Sequence, residues 1–226
     1  MLTYLVGNQE PIMVYRATPL TESKKSGTRA RILKEARHLV TQGGFSAAAV
    51  VPVAQRSGIA TGTIYRHFPS KAELVAEVFR FATEHELAAV IRASQIGNTV
   101  SERLMSAVET FAIRALKSPR LAYALIAEPV DPMVEKERLS YRFAYAEAFE
   151  DLINDGINCE EFAPQNAAIT AAALVGFLSE VLVGPLAPQA GYEDNIQQQN
   201  IVVPLNYQAL LSEINALTLR LVGNPN

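Results

Sequence analysis

Thr61, Gly62, Thr63, Tyr65, Arg66, His67 and Lys71 fall within eleven consecutive residues. Hydroxyl, phenol, guanidinium, imidazole and ammonium groups at this density suit polyanion recognition, because they donate to phosphate oxygens and to base edges. Gly62, without a Cβ, lets a backbone come close. Chemistry of other kinds finds no support. Cys159 is the only cysteine, so there is no disulfide framework, no CxxC pair and no Cys/His zinc spacing. His85 sits between Glu84 and Glu86 with no second histidine or cysteine at ligand spacing. A nucleophile elbow and a phosphate-cradling glycine loop are also missing. The expectation is a protein without catalysis, metal or cofactor.

Charge is unevenly placed around that stretch. The formal net charge is −3, yet Thr21 to Lys71 holds nine basic and two acidic residues, or +7. From Ala72 onward ten basic and twenty acidic residues give −10. A basic head of about fifty residues on an acidic body suggests that the head meets nucleic acid while the body does something else.

The elements that must position these groups read as helices throughout. Ile32, Leu33, Ala36, Leu39 and Val40 recur at helical spacing, which predicts a first helix over Thr28 to Gln42, stopped by Gly43-Gly44. A second follows over Val50 to Ser57, its Pro52 tolerable within a first turn, and Gly58 ends it. Thr61 caps a short third helix over Gly62 to His67. Ser70 and Glu73 form a capping box that starts a long fourth helix to about Gln95, and Thr99 with Glu102 starts the next. Ser118-Pro119 and Asp131-Pro132 each place a cap before proline, predicting helices toward Glu128 and to about Asn154, the latter ended by Gly156. Gln165 to Val183 and Pro204 to Leu221 complete about nine helices, with Gly184 to Asn200 as a loop. The fold class is all-α: an N-terminal three-helix helix-turn-helix domain (23–70), then a C-terminal helical bundle (71–226).

No uninterrupted apolar run of about 18 residues occurs, since Ala167 to Leu186 is broken by Thr170, Ser179, Glu180, Gly184 and Pro185, so no membrane span is expected. The first twenty residues do not fit a signal peptide and read as part of a poorly ordered extension (1–22). A cytoplasmic location is the simplest expectation.

Helices two and three, joined by Gly58-Ile59-Ala60, have the geometry of a helix-turn-helix. The third helix is sized for a major groove: Thr61 and Thr63 face base edges, Tyr65 and His67 reach phosphates, and Lys71 shares a phosphate with nearby amides. Phe45, Ile64 and Phe68 read as packing. Gly44-Phe45, Val53-Ala54, Ser57-Gly58-Ile59, Gly62-Thr63-Ile64-Tyr65-Arg66-His67-Phe68 and Ser70-Lys71-Ala72-Glu73-Leu74 together resemble the DNA-binding signature of TetR/AcrR-family transcriptional regulators. The resemblance spans about Thr28 to Phe79. It implies a homodimer whose paired recognition helices read a palindromic double-stranded DNA operator, with a helical body that binds a small-molecule effector. Carried over by position, Thr61 and Thr63 fall where the family reads bases, and Tyr65, His67 and Lys71 where it grips the backbone.

The body offers two surfaces. Tyr141 and Tyr145 lie on one stripe of the helix after Asp131. Phenols need partners when buried, so they are candidates for lining a mostly apolar cavity with His85, Phe111, Arg114, Tyr123, Ile126 and Phe177; plain core packing is the alternative for each. The effector is expected to be small and partly hydrophobic. Ala168, Ala172 and Val175 on a small-residue surface, with the Leu210, Ile214, Leu217, Leu221 stripe, form a candidate intersubunit four-helix bundle, the role the family's last two long helices commonly serve.

The chain departs from the family pattern at the start of helix two, where Ala47-Ala48-Ala49-Val50-Val51-Pro52 replaces the usual polar residues. That removes a hydroxyl cap and leaves open a binding or interaction module without specific DNA recognition. It also shifts the expected electrostatic affinity onto Lys24, Lys25, Arg29 and Arg31. Replacing Lys24 and Lys25 together with alanine should make the slope of log affinity against log salt shallower by about one unit for each phosphate no longer neutralised, measured by fluorescence anisotropy. An unchanged slope removes both lysines from the footprint.

Overall fold

A computed structural model describes residues 19–187 and 207–223, with side chains from Lys25 onward. Among the described residues there are nine helices and no strands. They are α1 (Pro19–Ala47), α2 (Val50–Arg56), α3 (Thr61–His67), α4 (Lys71–Ala93), α5 (Val100–Lys117), α6 (Pro119–Ile126), α7 (Pro132–Asn158), α8 (Ala167–Leu186) and α9 (Tyr207–Leu221).

Local signals set most boundaries. Gly43 and Gly44 leave helical geometry, Gly44 at φ 71°, so α1 is interrupted there. The Ser70 side chain accepts the Glu73 N–H at the start of α4, and Thr99 with Glu102 closes both halves of its capping box at α5. Asp131 caps α7 by accepting the Met133 N–H.

Several ends differ from expectation. The first helix begins at Pro19, nine residues early, because proline at the first helical position gives up an amide with no intrahelical partner. Residues 1–18 of the expected extension lie outside the described residues. Thr61 is the first residue of α3 and not its cap; Ala60 occupies that position without a side-chain bond. Gly156 does not end α7. It is buried within it, and a Cβ there would lie 2.1 Å from the Phe162 ring, so the glycine is a point of close approach. Glu160, at φ 63°, turns the chain afterward. α8 runs on through Pro185, into the expected loop, before ending at Leu186. The rest of that loop from Pro188, and Pro204, lie outside the described residues.

Two cores result. Ile32, Ala36, Val53, Ile64 and Phe68 of α1–α3 and the turn after α3 pack with Leu74, Val78 and Phe79 of α4, and Leu121, Ala124 and Val134 of α6 and α7 complete this cluster. The second core joins Val90 of α4, Leu104 and Val108 of α5, Phe149 and Ile153 of α7, Leu174 and Leu178 of α8, and Ile214 of α9. α8 is long and apolar enough to cross a membrane, yet Leu174, Leu178 and Leu182 on its inner side are fully buried against neighbouring helices. In α7, Phe149 and Ile153 are buried, whereas Leu139 and Phe143 are exposed.

Gly156→Ala should lower the melting temperature by about 3–10 °C, as about 1–3 kcal/mol of overpacking does in a chain of this size. Gly27→Ala, where nothing lies within 4 Å of a new Cβ, should leave it level or slightly raised in the same thermal melt.

Candidate nucleic-acid interface and effector cavity

The α2–α3 turn closes through Gly58, at φ 62°, with the Gly58 N–H donating to Gln55 O and the Ile59 N–H to Ala54 O. Ile64 and Phe68, four residues apart, sink into the head core and fix the rotation of α3. That rotation leaves Thr61, Gly62, Tyr65 and Arg66 exposed, with Thr63 and His67 half-buried beside them. Arg66 donates to the Thr63 hydroxyl at 2.9 Å. Lys71 is exposed at the start of α4. Burial, then the cations Lys25, Arg66 and Arg29, hold the His67 imidazole below its ordinary pKa, so the ring is neutral near pH 7 in the free protein.

At the start of α2, Ala49 makes no side-chain cap. Lys25 is exposed, whereas the Lys24 side chain lies outside those described. The structure revises the picture of Arg29 as a freely presented cation. Its guanidinium lies 5.0 Å from the Phe68 ring centroid and pairs with Glu77, bracing α1 against α4.

Below the head, α1 and α4–α8 enclose a cavity of about 290 Å³, near the small end of ligand sites. Of the candidate lining residues, Phe111, Arg114, Ile126, Tyr141 and Tyr145 are in its wall; His85, Tyr123 and Phe177 are not. The reason is helical phase. α4 faces the cavity with Phe79, Thr83, Glu86 and Val90, spaced by three or four residues, so His85 is turned outward and is exposed. Tyr123 and Phe177 instead pack beside the body core.

Five charged residues of the wall carry no signal in the sequence that marks them as such: Arg37, Glu86, Lys117, Arg138 and Arg142. Glu86 accepts from Arg37 of α1 at 3.1 Å and from Arg114 of α5 at 2.5 Å. Its hydrogen bond raises the Arg114 pKa. Arg138, buried in α7, donates to the carbonyls of Ala124, Leu125 and Glu128, closing the end of α6. The sequence shows only a charged residue in a partly apolar helix face. Beyond the Arg138–Glu135 pair at i, i+3, the partners of Arg37, Glu86 and Arg138 lie 10 to 49 positions away and have no sequence signature. Phe111 and Tyr145 meet edge to face at 5.4 Å in the same wall. Burial and then the Glu86 carboxylate push the Tyr145 phenol pKa up, so the ring stays a neutral donor.

On the outer side, Ala168 and Ala172 of α8 and Leu217 and Leu221 of α9 are exposed, with Leu210 half-buried. Val175 and Ile214 are corrected from the expected interface: both are buried in this chain's own core. Contact with a second chain would have to use their exposed neighbours.

Residues 32–78 match the family model described as bacterial regulatory proteins, tetR family. The chain is 29% identical over 130 residues to the HTH-type transcriptional repressor KstR2 of Rhodococcus jostii, covering 58% of this chain and 63% of that one. It is 25% identical over 185 residues to the HTH-type transcriptional regulator UidR of Escherichia coli K12, covering 78% and 92%. The fold is similar to the fatty acid degradation regulator FadR from Bacillus halodurans, with a TM-score of 0.65 at 17% identity over 84% of this chain and 97% of that one. It is also similar to FadR from Bacillus subtilis in complex with stearoyl-CoA, with a TM-score of 0.64 at 15% identity over 87% and 99%.

The brace between α1 and α4 has a pH signature. Hydrogen bonds from Arg29 and Arg80 to Glu77 outweigh burial, which is the largest single influence and opposes ionisation, and leave its pKa below 4.5. A lowered folded-state pKa contributes stability above the unfolded value and loses it as pH falls through the folded one. Glu77→Gln should therefore lower the melting temperature at pH 7, with a loss of up to about 1 kcal/mol. The gap to the unsubstituted protein should close below pH 4.5; a pH-independent gap overturns the brace.

Proposed function

We propose that the chain is a regulator of the TetR family, a homodimeric repressor that leaves a palindromic operator when a small, partly hydrophobic effector fills the cavity. The observation that carries this reading is the cavity wall itself. Arg37 puts α1, the first helix of the DNA-binding head, into a wall otherwise built by the body and α4. An occupant therefore touches the reading head directly. A protein of the same fold has been described with stearoyl-CoA bound, which supports a ligand in the body.

On this reading Thr61 and Thr63 face bases, with Gly62 allowing close approach. Tyr65, Arg66, His67, Lys71 and the lysines of α1 hold phosphates. The small outer face of α8, with Leu217 and Leu221 of α9, pairs with its symmetry mate. Effector binding favours a dimer whose heads no longer match half-sites about 34–36 Å apart. The bare Ala49 cap favours a second reading, a binding module without specific DNA recognition.

Anisotropy with the DNA upstream of the chain's own coding region, and operator selection from random duplexes, separates the two. The expected result is tight binding that survives a scrambled competitor, at two chains per site. Competitor-sensitive binding that vanishes with salt, and no selected sequence, overturns the repressor in favour of the module. Ala172→Glu should give monomers that no longer hold the operator by sedimentation and anisotropy; a variant still dimeric at micromolar concentration overturns the interface.

A further inference from the structure

Resting on the reading that this cavity holds the effector, we infer that the effector is an amphipathic anion, an apolar body carrying a carboxylate or similar oxyanion, whose charged end competes with Glu86 for Arg114 and Arg37. The polar part of the wall is lopsided. Arg37, Arg114, Lys117, Arg138 and Arg142 line the cavity with a single carboxylate, that of Glu86. Arg138 is already engaged by Glu135 and by three carbonyls. Four cations remain for one acid, and among the described residues Lys117 and Arg142 have no ion-pair partner.

The Arg37 guanidinium carries a second sign. Its Nη2 donates to Glu86, while its Nε is buried without a partner. A charged donor closed off without an acceptor is costly, and an oxyanion that drew the guanidinium toward the cavity would bring it one. A neutral or cationic occupant would strip water from these groups and return nothing. An anion returns charge-assisted hydrogen bonds, and the protonated Tyr145 phenol adds a neutral donor. The rest of the wall, including Phe79, Val90, Phe111, Leu121 and Leu125, suits an apolar body.

Glu86 then acts as a resident counter-ion. It keeps two guanidiniums paired and ties α1 to α5. An incoming oxyanion that takes over Arg114 or Arg37 loosens that tie where it reaches the reading head. The charge of the effector and the release of the head become one event.

Two fluorescent probes that share a ring frame test this on the full chain: 8-anilino-1-naphthalenesulfonate, an anion, and N-phenyl-1-naphthylamine, its neutral counterpart. The anion should bind about tenfold more tightly, at one probe per chain. Glu86→Gln, by removing the competitor, should tighten the anion about fivefold and leave the neutral probe level. Lys117→Gln with Arg142→Gln, both at exposed positions, should weaken the anion severalfold and spare the neutral probe, which keeps the test decisive if Glu86→Gln does not fold. Neutral binding as tight as anionic binding, or an anion-to-neutral ratio indifferent to the double variant, overturns the inference while leaving a ligand cavity in place. Weaker anion binding in Glu86→Gln makes Glu86 a positioning residue and overturns the competition. Binding of neither probe overturns the cavity reading together with the inference.

Discussion

α4 is shared by two cores, and that constraint organises the molecule. Leu74, Val78 and Phe79 on its first half are buried with α1–α3, while Val90 on its second half is buried with α5, α7 and α8. A helix of 23 residues cannot tilt at one end without displacing the other, because packed cores resist continuous deformation. Between the halves the same face turns into the cavity through Thr83 and Glu86. Whatever occupies that space pushes on the middle of the rod that carries the head.

Other links make the junction a joint with several ties. Arg120 donates to Gly43 O and Glu128 accepts the Phe45 N–H, so the α6 region grips the interruption of α1 where Gly44 leaves no Cβ in the way. Arg138 in turn fixes α6 by its terminal carbonyls. Arg29, Glu77, Arg80 and Glu137 run from α1 through α4 to α7. Pairs as exposed as these contribute little stability singly; their importance is that the chain of them spans three helices, so a shift of one must break or re-form a charge contact.

Much of this was legible in the sequence, and the boundary of legibility has a physical cause. Caps act within four residues, so Ser70, Thr99 and Asp131 marked true helix starts, and Gly43-Gly44 a true break. Apolar spacing acts within a helix, so Ile64 and Phe68 were rightly inward. What spacing along one helix leaves undefined is the neighbour it faces. His85 and Glu86 differ by a rotation of about 100°, and only the positions of α1 and α5 decide that the acid is inside and the histidine outside. Gly156 failed as a terminator for the same reason: its neighbour Phe162 arrives from beyond the end of the helix. Val175 and Ile214 share the helical spacing of an outer face, yet neighbouring helices of the chain's own core cover them.

α8 shows how these features combine. Its inner side is core through Leu174, Leu178 and Leu182, its cavity side carries Val175 and Ser179, and its outer side leaves Ala168, Ala172 and Gly176 exposed. Small outward residues let a facing helix approach closely, and close packing makes the contact sensitive to small displacements of the axis. The strip of α8 that borders the cavity thus runs directly beside its exposed small-residue strip. Ala172 and Val175, three residues apart, are neighbours on the helix surface, so a movement of the cavity lining at Val175 would carry the exposed Ala172 position with it, because the turn of helix joining them is rigid.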